Sequence, residues 1–378
     1  MTEIFISGDF CPNHRGMEKN RCPSKVQNIF GKLYDKIQKS DLSITNLEGP
    51  LTNEEQPIEK IGPNLKIPPT WGPKLKKAGF DLVTLANNHI LDQGEAGLKD
   101  TIKNLKKNEI DWVGAGESLA QAKKPYYFSE NGFTIAIVNF AEVEYSCANQ
   151  NHGGANPMDI IENFNQVKEA KRNSDYIIVI THGGHEHFHY PSPEMIKRYR
   201  FIAENGADVV INHHTHCVGG FEVHEGVPIF YSLGNFLFPS SKKKEYEKQW
   251  FEGYNVLLKI KNKNINFEIL PHTQCEDDII SVNLKSKDSK LYKKIIKLSE
   301  DLKNEDLLAS NWDEYIKEKK HLLKNMEGLN KDLLFALEKL KIKKHLIDKN
   351  KTHRIKQFVT CQAHQEVSKE LLREYLKY

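Results

Sequence analysis

At 378 residues, with 39% hydrophobic and 28% charged side chains, the chain is long and apolar enough for one large domain plus an appendage, or for two ordinary domains. A formal net charge of only +3 excludes the strongly basic footprint of a dedicated nucleic-acid binder. Six cysteines without a CxxC pair exclude a thiolate zinc knot and a disulfide framework, which points to a reducing compartment.

The opening MTEIFISGDFCP runs straight into a strand-like apolar segment without the charged leader of a signal peptide. No stretch approaches the roughly 18 to 20 apolar residues of a bilayer span. The expectation is a soluble, cytoplasmic protein. Nothing in the sequence fixes an oligomeric state.

Up to about residue 272, short apolar runs alternate with amphipathic segments, the pattern of an α/β sheet. Strands are expected at Ile4 to Ser7, Leu42 to Asn46, Leu82 to Ala86, Ile135 to Asn139, Tyr176 to Thr181 and Val209 to Asn212. Helices are expected near Val26 to Gln38, Gly94 to Lys106, Phe164 to Arg172 and Pro193 to Asn205. YIIVIT and ADVVIN are near-continuous β-branched runs, as buried parallel strands are. From Phe221 to Ile269 the period shifts to two, with an Asn-rich turn at Lys261 to Asn264 that reads as a hairpin in an antiparallel layer. Beyond Cys275 the chain turns Lys-, Glu- and Leu-rich in helical periodicity, with helices expected at Leu291 to Leu302, Asp313 to Met326, Asp332 to Leu346 and Ser368 to Leu376. The expected domains are therefore 1–272, an α/β sandwich of two sheets packed face to face with helices outside, and 273–378, a helical extension.

Polar groups recur where the strands end, and ligands of α/β sheets gather beyond the carboxyl ends of strands. Asp9 follows the first run, Asn46 and Glu48 the second, Asn87, Asn88, His89 and Asp92 the third, His182 the fifth, and His213, His214 and His216 the sixth. Many of the sixteen histidines fall in two stretches, His182 to His189 and His213 to His224. Neutral imidazole is the commonest metal ligand. Each residue has a plainer reading: a Gly-Asp turn for Asp9, caps for Asn46, Glu48, Asn87 and Asp92, a satisfied core histidine for His89. Their coincidence at the strand ends of one sheet favours a shared site. No G-x-S-x-G elbow, phosphate loop or dinucleotide fingerprint is present. His185, His187 and His189 read as a loop rim or as an extension of the cluster, and SSKKKEYEK as an exposed charged loop.

The segments SGDF, NLEGPLT, GFDLVTLANNHILDQGEAGL, HGGHE and ADVVINHHTHCVGGFEVHEGVPIFYSLGNFLF resemble, in order and spacing, the bacterial CapA-type capsule-synthesis family. That family is associated with poly-γ-glutamate capsule and is similar to calcineurin-like metallophosphoesterases. The resemblance spans roughly residues 3 to 270. It implies a metallophosphoesterase-like sandwich holding two divalent ions, Mn, Fe or Zn. Asp9 and His216 would serve the first ion, Asn88, His182 and His214 the second, and Glu48 would bridge both. His89 would contact the phosphate or protonate the leaving group, and Glu186 matches a family position. Asn235 is either near the site or part of a turn with Gly234 at positive φ.

Three departures stand out. Cys11 occupies the place of an imidazole in the opening Asp-x-His motif, Glu48 stands where an aspartate is usual, and His182-Gly183-Gly184 replaces His-Trp-Gly. The expected function is metal-dependent hydrolysis of a phosphoester, in a small-molecule or polymer substrate, linked to capsule or poly-γ-glutamate synthesis. The alternative is a non-catalytic accessory or polymer-binding protein of that process.

Overall fold

The structure is a computed structural model that describes residues 1–18, 20–240, 248–261, 264–320, 353, 356–358 and 360–376. Two sheets dominate. The first runs, from edge to edge, Val282–Leu284, Asn264–Gln274, Glu252–Lys261, Thr2–Phe10, Leu42–Leu47, Leu82–Thr84 and Asp111–Val113, with Asn235–Leu237 pairing parallel to the end of Thr2–Phe10. The second runs Phe221–His224, Val227–Phe230, Val209–His213, Tyr176–His182, Phe133–Ala141 and Tyr126–Glu130. The four strands from Thr2–Phe10 to Asp111–Val113 are mutually parallel, as are the four inner strands of the second sheet. The outer strands are antiparallel, including the expected hairpin, in which Lys261 faces Asn264.

The two-residue period of a strand explains how one run serves two cores. Ile4, Ile6 and Ile44 of the first sheet meet Ile137, Ile178, Ile180 and Ile211 of the second in the core between the sheets. Phe5, Leu47 and Val83 point the other way, under Ile29, Phe30, Leu75 and Leu105 from the helical segments over the first sheet. Val138, Val179 and Val210 likewise pack beneath Val167, Tyr199 and Ile202 on the far side of the second. Truncating an inward isoleucine such as Ile180 to Ala costs about 2–5 kcal/mol. The expected two-sheet sandwich with outer helices is the observed fold.

Helix bounds follow local chemistry. Gly94–Lys107 and Pro193–Glu204 match the expected segments, the latter opened by Ser192 capping Met195 and by proline in the first turn. The segment expected as one helix from Val26 to Gln38 is broken at Gly31, giving Val26–Phe30 and Leu33–Lys39.

The boundary expected at residue 272 falls inside a strand. Asn264–Gln274 crosses it, and Val282–Leu284 adds one further strand beyond it. The helix Lys290–Asp301 closes the core between the sheets with Leu291, Ile295 and Leu298. The expected helix Asp332 to Leu346, the end of Asp313 to Met326 and most of the charged loop SSKKKEYEK lie outside the described residues. Farther on, Gln362–Leu376 packs on Glu305–Glu318 through Val367, Leu371, Trp312 and Ile316. Among the described residues no helix is long and apolar enough to cross a membrane.

Candidate functional site

The carboxyl ends of the parallel strands of both sheets converge on one place. Asp9 sits at a register irregularity between Thr2–Phe10 and its neighbours. Gly8 makes the irregularity feasible: a Cβ there would lie 2.0 Å from the Gly234 carbonyl oxygen, to which the Asp9 amide donates at 3.2 Å. Asn235 is thereby aligned opposite Asp9. Its Oδ1 lies 2.9 Å from His216 Nδ1, which donates and leaves Nε2 to face the site, while its Nδ2 donates to the Trp250 carbonyl at 3.0 Å. Gly234 has φ of 70°, so both readings of the YSLGNF segment hold together.

Two groups of side chains meet around Glu48. In the first, ligand-capable atoms of Asp9, Glu48 and His216 lie within 4.8 Å of one another; in the second, those of Glu48, His182 and His214 do. Glu48 Oε1 is 3.5 Å from His216 Nε2 and 3.8 Å from His182 Nε2. His182 Nε2 is in turn 3.1 Å from both Asn88 Oδ1 and His214 Nδ1. His214 and His216 adopt φ of 90° and 56°, a strained region for non-glycine residues that clusters at functional sites.

Asp9 is better satisfied than Glu48. Its Oδ1 accepts from Asn46 Nδ2 at 2.7 Å and its Oδ2 from the His214 amide at 3.2 Å. Asn46 Oδ1 accepts in turn from Thr84 and from Asn87 Nδ2, at 3.3 and 3.4 Å. Asn46 and Asn87 thus brace the site from beneath. Glu48 is fully buried, and neither of its carboxylate oxygens has a hydrogen-bond partner.

The field in this pocket is uneven. Burial, then the neighbouring Asp9 and Glu186 carboxylates, pushes Glu48 well above the usual carboxylate range. Burial also raises Asp9, against the pull of His216 and the Asn46 hydrogen bond. Burial, reinforced by His214 and His213, drives His182 well below the usual imidazole range, and burial takes His216 down to about 4. His182 and His216 are therefore neutral donors at neutral pH, with the carboxyls of Glu48 and Asp9 buried beside them.

His89 and Asp92 form a second unit on the rim. His89 Nδ1 donates to Asp92 Oδ2 at 2.6 Å, and Lys60, which the sequence gave no reason to single out, forms an ion pair with the same aspartate. The His89 amide donates to Asn87 Oδ1 at 3.1 Å. Asp92 has no contact with solvent and also accepts from the Leu65 amide at 2.6 Å. His89, Asn88, His214 and Glu186 line a cavity of about 390 Å³. Desolvation tends to raise Glu186, but the pull of His214, His216, His187 and His89 outweighs it and holds the carboxyl down to about 2.

Other candidates lie apart from both groups. His213 pairs in register with His182, yet its Nε2 is buried without a partner, and burial takes it down to about 3. Cys11 packs among apolar residues, and its thiol, raised by burial and by Glu48, accepts from Asn13 Nδ2 at 3.7 Å. It adds no ligand to the Asp9 group. His185 is buried against Glu366 at 3.3 Å, His189 donates to the Val218 carbonyl at 2.7 Å, and His187 stands exposed on the rim.

Sequence reasoning also missed Glu144, which accepts from Asn88 Nδ2 at 3.1 Å, and the far wall of the cavity, built by Tyr315, Lys319 and His364. Tyr315, Lys319 and His364 belong to the helical extension, where amphipathic periodicity gives no signal of a pocket.

The chain is thus a two-sheet α/β sandwich protein with a carboxylate, amide and imidazole cluster at its strand ends, the architecture its resemblance to metallophosphoesterases implied. The model of the bacterial capsule synthesis protein PGA_cap matches residues 3–240, and the chain belongs to that family. It is 33% identical over 219 residues to the capsule biosynthesis protein CapA of Bacillus anthracis, covering 56% of this chain and 53% of that protein. It is 34% identical over 230 residues to the PGA biosynthesis protein CapA of Bacillus subtilis strain 168, covering 59% and 60%. The chain thus spans between about half and three fifths of the length of these relatives. Among solved structures, a phosphatase from Mycoplasma pneumoniae superposes with a TM-score of 0.46 at 16% identity, over 71% of this chain and 92% of that one.

Proposed function

We propose that the chain is a metal-dependent hydrolase acting on a phosphoester, linked through its family to capsule or poly-γ-glutamate synthesis. The observation that carries this reading is Glu48, a fully buried carboxyl with neither oxygen hydrogen-bonded, between His216 on one side and His182 and His214 on the other. Among the described residues no hydrogen bond satisfies it, and a divalent cation on either side would.

The donor set fits such ions. With metal–ligand bonds of about 2.0–2.2 Å, tetrahedral or octahedral coordination sets ligand atoms roughly 3.0–3.5 Å apart. The spacings about His182 Nε2 and Glu48 Oε1 run from 3.1 to 3.8 Å. Asn88, His182 and His214 would hold one ion, Asp9 and His216 the other, and Glu48 both. Mixed oxygen and imidazole donors suit Mn, Fe or Zn. A bound pair supplies Lewis acidity to a phosphoryl group and a nucleophile at neutral pH.

The chain's own residues supply the rest. Asn46 holds the Asp9 carboxylate, and Asn235 fixes the tautomer of His216 so that Nε2 faces Glu48. His89, with Nδ1 held by Asp92, presents Nε2 to the cavity and donates its proton to the departing oxygen. Lys60, ion-paired with Asp92 and with its Nζ 3.0 Å from His89 Nδ1, holds the Asp92–His89 pair in place.

The test is hydrolysis of an aryl phosphate with and without added Mn²⁺. Activity that needs the metal and is lost in His89→Ala at unchanged metal content supports the reading. A fully loaded protein inert toward every phosphoester tested favours instead a polymer-binding accessory role. The burial of Cys11 away from the Asp9 group is the feature that speaks for that second reading.

A further inference from the structure

We infer that Glu144, Cys361 and His364 form a separate zinc site that fastens the C-terminal helix to the rim of the cavity. Ligand-capable atoms of the three residues lie within 4.8 Å of one another, and none of the three belongs to the groups around Glu48. The inference does not depend on the hydrolase reading, because it concerns a different set of ligands.

Two features mark this as a site and not a chance meeting of polar residues. His364 Nδ1 is buried with no hydrogen-bond partner. An orphaned imidazole nitrogen beside a buried thiol and a carboxylate is a costly arrangement unless something binds it. Cys361 is only 1% exposed, and its Sγ lies 3.9 Å from Glu144 Oε1 and 3.7 Å from Glu142 Oε2. The orientation of the ligands is already braced. Glu144 Oε2 accepts from Asn88 at 3.1 Å, leaving Oε1 toward the thiol. Glu142 is held by Arg198 at 3.0 Å and by the Ala363 amide at 3.3 Å.

One thiolate, one imidazole and one carboxylate select a borderline-soft divalent ion, and zinc is the member of that class with no redox chemistry to manage. Binding replaces the S–H bond of Cys361 by a sulfur–metal bond, and the thiol proton leaves to solvent. Three protein ligands leave a fourth position for water on the cavity side, where Glu144 and His364 are part of the wall.

The position gives the ion a purpose. The helix Gln362–Leu376 contributes only Val367 and Leu371 to the small apolar cluster it shares with Trp312 and Ile316. Its polar ties run from Glu366, to Ser192 Oγ at 2.6 Å and His185 Nε2 at 3.3 Å, and from Gln362 at its first turn, to the Val143 amide and the Met158 carbonyl at 2.9 and 2.7 Å. An ion held between Glu144 and Cys361 would tie that turn to the strand-end loop carrying the cavity wall.

The experiment is a Co²⁺ titration of the metal-stripped full-length protein, followed by absorption in the near ultraviolet, where thiolate-to-cobalt charge transfer is intense. We expect a thiolate band in the wild type that is displaced by Zn²⁺, persists in Cys11→Ser and is absent from Cys361→Ser. His364→Gln, which keeps the thiol, should shift the titration to higher cobalt concentration. A wild-type protein without a thiolate band at saturating cobalt, or a band that survives in Cys361→Ser, overturns the inference. If Cys361→Ser does not fold, an unchanged titration in His364→Gln overturns it equally.

Discussion

Replacing Glu48 by Gln should make the metal-free protein more stable and the metal-loaded protein no more stable than that. In the wild type the carboxyl is fully buried with both oxygens unpartnered. Leaving a buried polar or charged group unsatisfied costs about 1–3 kcal/mol, and glutamine keeps the shape while removing the charge. The folded pKa of Glu48 lies above its unfolded value, so its contribution is favourable at pH below the ordinary carboxylate range and is lost as pH rises through the raised value. The wild-type protein without metal should therefore lose stability as pH rises above the ordinary carboxylate range, and Glu48→Gln should lack that loss. A gain of about 1–3 kcal/mol corresponds to a rise in Tm of roughly 1–4 °C for a chain of this size. Metal at about 100 times its Kd adds about 2.7 kcal/mol to the wild type, and the variant, having lost the shared ligand, should show little of it. Differential scanning calorimetry from mildly acidic to mildly alkaline pH, on wild type and variant with chelator or with Mn²⁺, reads all four states. A variant less stable than wild type in chelator, or one stabilised by Mn²⁺ as much as wild type, would refute the reasoning.

Further outcomes follow from the same geometry. His89→Ala should lower kcat by about 10²–10⁴-fold with metal content intact, because its Nδ1 partner Asp92 makes it a proton donor and not a ligand; coincident loss of metal on elemental analysis would reassign it. His182→Ala or His214→Ala should remove the tighter ion, whose group includes Asn88, whereas Asp9→Ala should remove the weaker one and still abolish turnover, as direct metal titration would show. His213 and His216 are buried and neutral, with values taken down to about 3 and about 4, so they stabilise the fold above the ordinary imidazole pKa and that contribution fades as pH falls. Between pH 6.5 and pH 5 the metal-free protein should lose up to about 2 kcal/mol for each, by pH-dependent denaturant melts. Truncation after Cys275 should unfold the protein, because it strips Val282, Leu291, Ile295 and Leu298 from the cores, whereas truncation after residue 320 should leave a folded sandwich by circular dichroism.

The sequence carried the strand ends well, because buried parallel strands read as β-branched runs and each ends in a polar cluster. Thus Asp9, Glu48, Asn88, His182, His214 and His216 could be named before any geometry was known, and all six meet around one carboxylate. What it could not carry depends on alternation and on distant partners. Cys11 stands two residues after Asp9, in the place of the motif's imidazole, yet the register irregularity between Asp9 and Phe10 parts them, leaving Asp9 in the site and Cys11 in the core. Asn235 and His272 are separated from Asp9 by more than 200 residues, and only pairing of their strands shows that they brace the His216 side. The helical extension looked like a solvated appendage because its Lys and Glu content is that of an exposed face. Its first stretch is instead part of the core, and its last helix carries His364 to the cavity wall, with Cys361 immediately before it.

The most direct test of the account is calorimetric titration of Mn²⁺ into stripped Cys361→Ser protein, in which, among the described residues, the groups around Glu48 are the intact ones left to bind. Two ions per chain with unequal affinities, the tighter lost in a further His214→Ala substitution and both lost in Glu48→Ala, is the predicted result. No heat of binding, or two ions that persist without Glu48, would contradict it.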